Sequence, residues 1–379
     1  MTRIEVLTKA STGQIRWIDA ATILGLSSRQ LRRLKQRIDA QGIHFVADQR
    51  GGRPRRRRIS EATLRALLEM RQTKYADFSV RHFYEHVTEK HGLALSYGTA
   101  LAALQAAGLA PKQTGRGKYR RKRERRPMVG MMLHIDASTH EWIAGEDKFD
   151  LVAVLDDADG RLLYARFFPQ EGTHSTLSAL ESVLRHNGRF AELYHDRGGH
   201  YGSRKHINEP QATSAVQRVC NTVGIRQIFS LSPEARGRSE RYFGTVQGRL
   251  PQELKLHGVK SMQAANTYLE QHFIADMNKR FVVKPAQSGN AFVKMVGIDM
   301  DLLTSVRHER QVDKANGIHF LGTYLQLPER RGGGGYAKMR VVVHELLDGT
   351  VCITIDGKRI ARFNKDGGEI TSRERKKAA

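Results

Sequence analysis

Cysteine is almost absent: Cys220 and Cys352 are the only two in 379 residues, far apart and outside any C-x-x-C. That argues against a disulfide scaffold or a zinc ribbon and fits a reducing compartment. Long apolar runs are missing as well. No stretch approaches the roughly 18 apolar residues of a membrane helix, so none is expected. Met1-Thr2-Arg3-Ile4-Glu5 lacks the apolar core of a signal peptide, and no repeat of solenoid type is visible. Acidic residues are scarce: 39 Asp and Glu face 63 Lys and Arg, for a net charge of +24 and a pI near 10.3. An enzyme of small molecules has little use for that imbalance. It points to a polyanion, DNA or RNA before a membrane.

What is present suits a chain with real cores. Hydrophobic residues make up 40% and charged residues 27%, which is globular, not disordered; the length suits about two to four domains. The positive charge is unevenly placed. Gly52 to Arg58 holds five Arg in seven residues, and Lys112 to Arg126 is basic at nine of fifteen positions. Neither stretch has apolar periodicity, so both read as linkers. A third break, Arg330 to Tyr336, contains four consecutive glycines.

Trp17 to Arg37 predicts a helix-turn-helix. Ala20, Ala21 and Leu24 form an apolar face, Gly25 supplies the left-handed turn, Leu26 tucks inward, and Ser27 caps a second helix anchored by Leu31 and Leu34. The outward residues of that helix, Ser28, Arg29, Arg32, Arg33 and Gln36, are donors suited to bases and phosphates in a major groove. Helices over Ser60–Gln72, Ser79–Lys90 and Ser96–Ala107 suggest a second, winged-helix-like unit. Gly52-Arg53-Pro54 followed by Arg55 and Arg56 resembles an AT-hook reaching into a minor groove; a basic linker lying on phosphates reads the segment equally well. Arg120 and Arg121 in the second basic linker are further candidates for DNA contact.

The middle of the chain predicts strands at Met131–Asp136, Phe149–Leu155 and Leu162–Pro169. A helix over Thr173–Asn187, a strand at Ala191–His195, a helix over 211–223 and a strand at Ile225–Phe229 follow, and then a long helix running from Ser232-Pro233 past Leu250. Asp159-Gly160 marks a hairpin turn. The order β-β-β-α-β-α-β-α is that of an RNase H-like α/β domain. Asp136 is expected to end the first strand, Asp196 to follow the fourth, and Glu240 to lie about two turns into the last helix, at spacings of 60 and 44 residues. Three such carboxylates would repel one another without cations, and their hard oxygens suit Mg²⁺ or Mn²⁺. Two such ions about 4 Å apart can activate an attacking oxygen and stabilise a leaving 3′-oxygen. Glu234 is the rival third carboxylate, placed where a helix N-terminus favours an acid anyway. Asp156 and Asp157 read as turn residues, His134 and His195 as packing or DNA contacts. Arg236, Arg238 and Arg241 around Glu240 would either neutralise phosphate charge near the metals or screen the carboxylate cluster.

Four motifs carry a family resemblance: His134-Ile135-Asp136-Ala137-Ser138, Leu155-Asp156-Asp157-Ala158, Tyr194-His195-Asp196-Arg197 and the run from Ser232 to Arg241. Together they resemble the integrase-type core of DDE transposases, and the chain is most similar to the bacterial insertion-sequence group called ISNCY. Its last motif, Ser-Pro, then Lys or Arg-Gly-Arg, Glu-Arg and Gln-x-Arg-Leu, is matched here through Gln247-Gly248-Arg249-Leu250. The resemblance implies a metal triad of Asp136, Asp196 and Glu240 and two Mg²⁺ or Mn²⁺ ions per site. It implies an enzyme that binds element ends, frees 3′-OH groups and joins them to target DNA. The partners implied are double-stranded DNA and further copies of the chain, in a dimer or higher multimer on DNA, in a bacterial cytoplasm at the nucleoid. A hydrolytic nuclease on the same fold, or a DNA-binding regulator with an inactive core, are the alternatives. Arg249 joins the candidate DNA contacts. Gln247 stands seven residues after Glu240, where many DDE enzymes carry Lys or Arg.

The expected organisation is multidomain, with N-terminal all-α helix-turn-helix domains, a central α/β RNase H-like domain and a C-terminal small β-barrel. Its segments are 1–50 (helix-turn-helix), 51–58 (AT-hook-like linker), 59–111 (winged-helix-like unit), 112–128 (basic linker) and 129–285 (catalytic core). A linker at 286–317, a barrel at 318–372 and a basic tail at 373–379 complete the chain.

Overall fold

The computed structural model describes residues 2–43, 59–112, 124–196, 198–202, 214–230, 237–330 and 332–370. Expectations for Arg53, Arg55, Arg56, Arg120, Arg121, Glu234, Arg236 and the basic tail lie outside the described residues, as does the side chain of Arg238. The chain divides into two units. One takes Met1–Thr73 with Val87–Ala110; the other takes Lys74–His86 with Pro111–Ala379.

In the first unit α1 (Arg3–Ser11) precedes the helix-turn-helix pair, α2 (Trp17–Leu24) and α3 (Ser28–Gln41). The local chemistry explains each end. Thr2 Oγ1 accepts the Glu5 N–H at 3.3 Å while the Glu5 carboxylate accepts the Thr2 N–H at 2.8 Å, a reciprocal cap. Gly25 closes α2 with φ 60°, a conformation that strains any residue with a Cβ. Ser27 caps α3 by accepting the Gln30 N–H at 3.3 Å, and Gln30 Oε1 accepts the Ser27 N–H at 2.9 Å. Leu7, Ala21, Leu31 and Ile38 form the shared core, with Leu24, Leu26 and Leu34 packed against it.

Beyond this lie α4 (Glu61–Thr73), α5 (Val80–Glu89) and α6 (Tyr97–Ala106). The three helices expected here are present. Residues 59–111 contain three helices and no strand among the described residues, so they supply no β-wing. Residues Lys74–His86 also group with the second unit.

The second unit is built on a five-stranded sheet of β1 (Met132–His140), β2 (Phe149–Asp156), β3 (Leu162–Phe168), β4 (Glu192–His195) and β5 (Arg226–Phe229), in the order β3-β2-β1-β4-β5. The first three strands are an antiparallel meander. β1–β4 and β4–β5 are parallel, and their crossovers carry α7 (Thr173–His186) and α8 (Ala215–Val223). Every residue of β2 is buried, because both faces are covered. Leu133, Ile135, Val152 and Val154 face one core with α7 and α8. Phe149, Leu151, Ala153 and Leu155 face a second with α9 (Gly237–Gln247) and α10 (Leu250–Leu256). The RNase H-like element order is as expected.

The long helix past Leu250 is in fact two. Arg249 breaks the spiral at φ −131° and ψ −51°, and Pro251, in the first turn of α10, has no N–H to continue the ladder. Next come α11 (Met262–Tyr268), a π-helical stretch (Leu269–Phe273) and α12 (Ile274–Phe281) in one run.

At the C-terminal end come α13 (Met300–Leu303), β6 (Val306–Gln311), β7 (Gly317–Phe320), β8 (Thr323–Gln326), β9 (Arg340–Glu345), β10 (Val351–Ile355) and β11 (Lys358–Phe363). The expected barrel is not closed. Among the described residues the strands form a sheet in the order β11-β10-β9-β6 and a separate hairpin, β7-β8. Closure would need the edge strands β6 and β11 to pair with each other, and among the described residues they pair only with β9 and β10. The stretch expected as a linker, 286–317, supplies β6. It also bridges to the core, Val129 to Asn290 and Arg189 to Val293.

Candidate active site beside the parallel strand pair

Asp136 does not end its strand, as the sequence suggested; it sits at the middle of β1, paired with Ala153 of β2. The expected strand end is real only on the other side. There β1 runs parallel to β4 through His134↔Tyr194, and β4 stops at His195. Carrying that register two residues further puts Asp136 level with Asp196 on the neighbouring strand. Side chains alternate along a strand. Leu133 and Ile135 of β1 face the α7–α8 core, so Asp136 faces the α9 side with its cross-strand partner Ala153, and Asp196 follows directly on the end of β4. Asp136 Oδ1 accepts the Ala137 N–H at 3.0 Å, and Asp196 Oδ1 accepts the Gly198 N–H at 2.8 Å.

Glu240 is exposed in the first turn of α9. It shares a helix face with Phe243, buried against β2, and with Gln247, whose Nε2 donates to Ser138 Oγ of β1 at 2.9 Å. Gln247 therefore ties α9 to the strand that carries Asp136, in the position where a cation was sought. Arg241 is exposed beside Glu240, and its Nε donates to the Gly237 carbonyl at 3.2 Å.

The turn after Asp196 holds residues that sequence reasoning missed. Gly198 leads into a 3₁₀ turn, Gly199–Tyr201. A Cβ on Gly198 would lie 2.8 Å from His200 Cε1 and 3.1 Å from Asp196 Oδ1, so a side chain here would push on His200 and on the Asp196 carboxylate. Tyr201 is buried, stacks on His195 at 4.1 Å and donates to Glu171 Oε1 at 3.2 Å. Burial pushes its phenol well above the usual range, and the charges of Glu171, Asp196 and Asp136 add to the effect. Its place among three carboxylates had no signal in the sequence beyond an aromatic five residues after Asp196.

The neighbouring acids and histidines are structural. Asp156 Oδ2 accepts the Gly130 N–H at 2.7 Å and its Oδ1 the Ala158 N–H at 2.8 Å; burial lifts its pKa to about 6. Asp157 takes the Arg126 N–H at 2.7 Å and His134 Nε2 at 2.6 Å. Burial lowers the pKa of His195 to about 4, and the ring is held between Tyr201 and Phe229. Arg249, expected at a DNA surface, is buried: it pairs with Glu85 at 2.8 Å and lies 5.0 Å from the Phe281 ring. A guanidinium committed to an interior carboxylate cannot reach a backbone phosphate, so Arg249 leaves the DNA-facing set. In the first unit Ser28, Arg29, Arg32, Arg33 and Gln36 are all exposed along α3.

Comparison with known proteins supplies the context. Residues 2–55 match a helix-turn-helix domain family. A Sinorhizobium fredii protein assigned as transposase y4bF is 30% identical over 373 residues, covering 96% of this chain and 81% of its own length. The transposase for insertion sequence IS1202 of Streptococcus pneumoniae is 25% identical over 379 residues, covering 89% of this chain and 80% of its own. Among solved structures, the dimeric HTLV-2 integrase catalytic core domain in complex with magnesium is 16% identical, with a TM-score of 0.32 over 42% of this chain and 92% of that one. A simian T-cell lymphotropic virus intasome in complex with the PP2A regulatory subunit B56 gamma is 14% identical, with a TM-score of 0.36 over 78% of this chain and 95% of that one.

Proposed function

The chain belongs to the transposase family, and we propose that Asp136, Asp196 and Glu240 are the carboxylates on which its phosphoryl transfer depends. As a DDE transposase it is a polynucleotidyl transferase. The reading is supported by the parallel register of β1 and β4, which, carried two residues past His134 and Tyr194, brings Asp136 level with Asp196, and by the bond that ties α9, the helix of Glu240, to β1. The donor set fits a divalent cation of the magnesium or manganese type. It is all carboxylate oxygen, and it reaches solvent through Glu240. When bound, such ions activate an attacking oxygen and stabilise the leaving 3′-oxygen.

The chain's own residues do the rest. The Gly198 amide fixes one oxygen of Asp196, and the Gln247–Ser138 bond fixes α9 against β1. Arg241, next to Glu240 and exposed, meets backbone phosphate. Hydrolysis frees a 3′-OH as water displaces a 3′-oxygen from phosphorus; in joining, that hydroxyl displaces a 3′-oxygen of target DNA. Both are in-line transfers that use no protein nucleophile. The exposed row Ser28, Arg29, Arg32 and Arg33 reads the element end in the major groove. Two ends must be held for joining, so two or more copies act on DNA.

The test is joining by the purified protein of a labelled, pre-cut 3′-OH end to plasmid DNA, in Mg²⁺ and in Mn²⁺. Joined product is expected in both. Cutting without joining would make the chain a nuclease on this fold.

A further inference from the structure

The richest cluster of metal-ligating side chains among the described residues lies away from the carboxylates above. His82 and His86 stand one turn apart on α5, and Glu253 lies on α10 of the same unit. All three are buried, at 2%, 4% and 8% exposure. Both imidazole Nε2 atoms converge on one carboxylate oxygen, Oε1 of Glu253, at 2.7 Å for His82 and 2.6 Å for His86. The other oxygen, Oε2, is oriented by the Tyr268 hydroxyl at 3.2 Å. One ligand atom from each residue lies within 4.8 Å of the others. We propose that His82, His86 and Glu253 form a binding site for a divalent transition metal of the zinc class, separate from the catalytic carboxylates.

The donor set separates this site from the catalytic one. Two imidazole nitrogens and one carboxylate oxygen suit Zn²⁺, where three carboxylates suit Mg²⁺. The protonation states are those a metal needs. Burial lowers the pKa of His82 and leaves the ring neutral. Burial alone would raise the pKa of Glu253, but the hydrogen bonds from His82 and His86 outweigh it and hold the carboxyl far below its usual range, hence ionised.

Among the described residues neither Nδ1 has a hydrogen-bond partner, so there Glu253 holds these rings in the Nε2–H tautomer. A cation at the Nε2 atoms sends each ring proton to Nδ1, and no net proton leaves. Zinc bonds of about 2.0–2.1 Å set tetrahedral ligands roughly 3.3 Å apart, so Glu253 Oε1 draws back by about half an ångström. The Phe78 ring stacks on His82 at 4.3 Å and Tyr75 lies 5.4 Å from His86, a dry wall around the site. The half-exposed His257, 3.7 Å from Glu253 Oε2, marks the side open to solvent. A metal here would pin Lys74–His86 to α10.

The experiment uses the full chain carrying Asp136→Asn and Asp196→Asn, so that the catalytic cluster adds no metal of its own. Zinc per chain is measured by mass spectrometry after dialysis against zinc and then buffer, with the visible spectrum of the Co²⁺ form and the Tm with and without zinc. One zinc per chain, intense cobalt d–d bands and a zinc-dependent rise in Tm are expected. His82→Gln and His86→Gln keep an N–H to donate to Glu253 but lose the imidazole ligand. Bound zinc should fall at least ~10-fold in each, and the Tm response should vanish. Equal zinc in parent and Gln variants would overturn the proposal and leave a purely hydrogen-bonded clamp. The absence of cobalt d–d bands in the parent would overturn it as well, whether or not the variants fold.

Discussion

Two pairs of aspartates lie on the same sheet and are built for opposite purposes. Asp156 and Asp157 end β2 in a turn where backbone N–H groups of Gly130, Ala158 and Arg126 and the ring of His134 converge on them. Asp136 faces the α9 side from within β1, and Asp196 follows the end of β4; Asp136 takes the Ala137 N–H and Asp196 the Gly198 N–H. Distant backbone donors make a carboxylate part of the fold. The comparison teaches that acid content does not mark a site; where the fold places each acid does.

That contrast can be broken by substitution. Asp136→Asn and Asp196→Asn should each lower strand joining by more than ~100-fold, beyond the ~10–100-fold typical of groups that only orient a metal ligand. End binding and urea unfolding midpoint should hold. Near-normal joining by either well-folded variant would remove that residue from the site. Asp157→Ala should do the reverse. It strands His134 without its carboxylate, and stability should drop by about 1–3 kcal/mol in urea titration.

The Asp156 pKa sharpens the same point. Its folded value of about 6 lies above the ordinary 3.8, so the folded state holds the proton more tightly than the unfolded chain. The stabilisation is complete below the ordinary value and is lost as pH rises toward about 6, by up to about 1.4 kcal/mol per pH unit. Unfolding titrations at pH 4 to 7 should show this fall in the parent and lose it in Asp156→Asn. A flat difference between the two would mean that Asp156 is ionised throughout. Smaller still is Gly198→Ala. Its Cβ would press on Asp196 Oδ1 and His200, so joining should weaken about 10-fold with stability nearly unchanged. Last, Arg29→Ala on α3 should cost about 1–3 kcal/mol in end binding by titration and spare joining of DNA held at saturating protein.

Much of this was legible in the order of residues. Strand alternation, helical spacing and turn residues are local, and they yielded the element order of the central domain and the helix-turn-helix with Gly25 and Ser27 in their roles. The strand end expected at Asp136 was misread, because β1 continues to His140 along β2. Other features depended on contacts that no local pattern records. Arg249 read as a surface cation until Glu85, 164 residues away, took it inside. The helix expected through Leu250 is broken at Arg249, with Pro251 opening a new helix. Apolar alternation predicted C-terminal strands but not which edges would pair, so a barrel was expected where a sheet and a hairpin stand. His82 and His86 showed nothing in sequence, since Glu253 lies 171 and 167 residues on. The sequence by itself determined the elements and their order, because hydrogen-bonded helices, strands and caps answer to neighbours within a few residues. Only tertiary structure decided which charges are buried, paired or left facing solvent, because those choices rest on side chains brought together by packing across the whole chain.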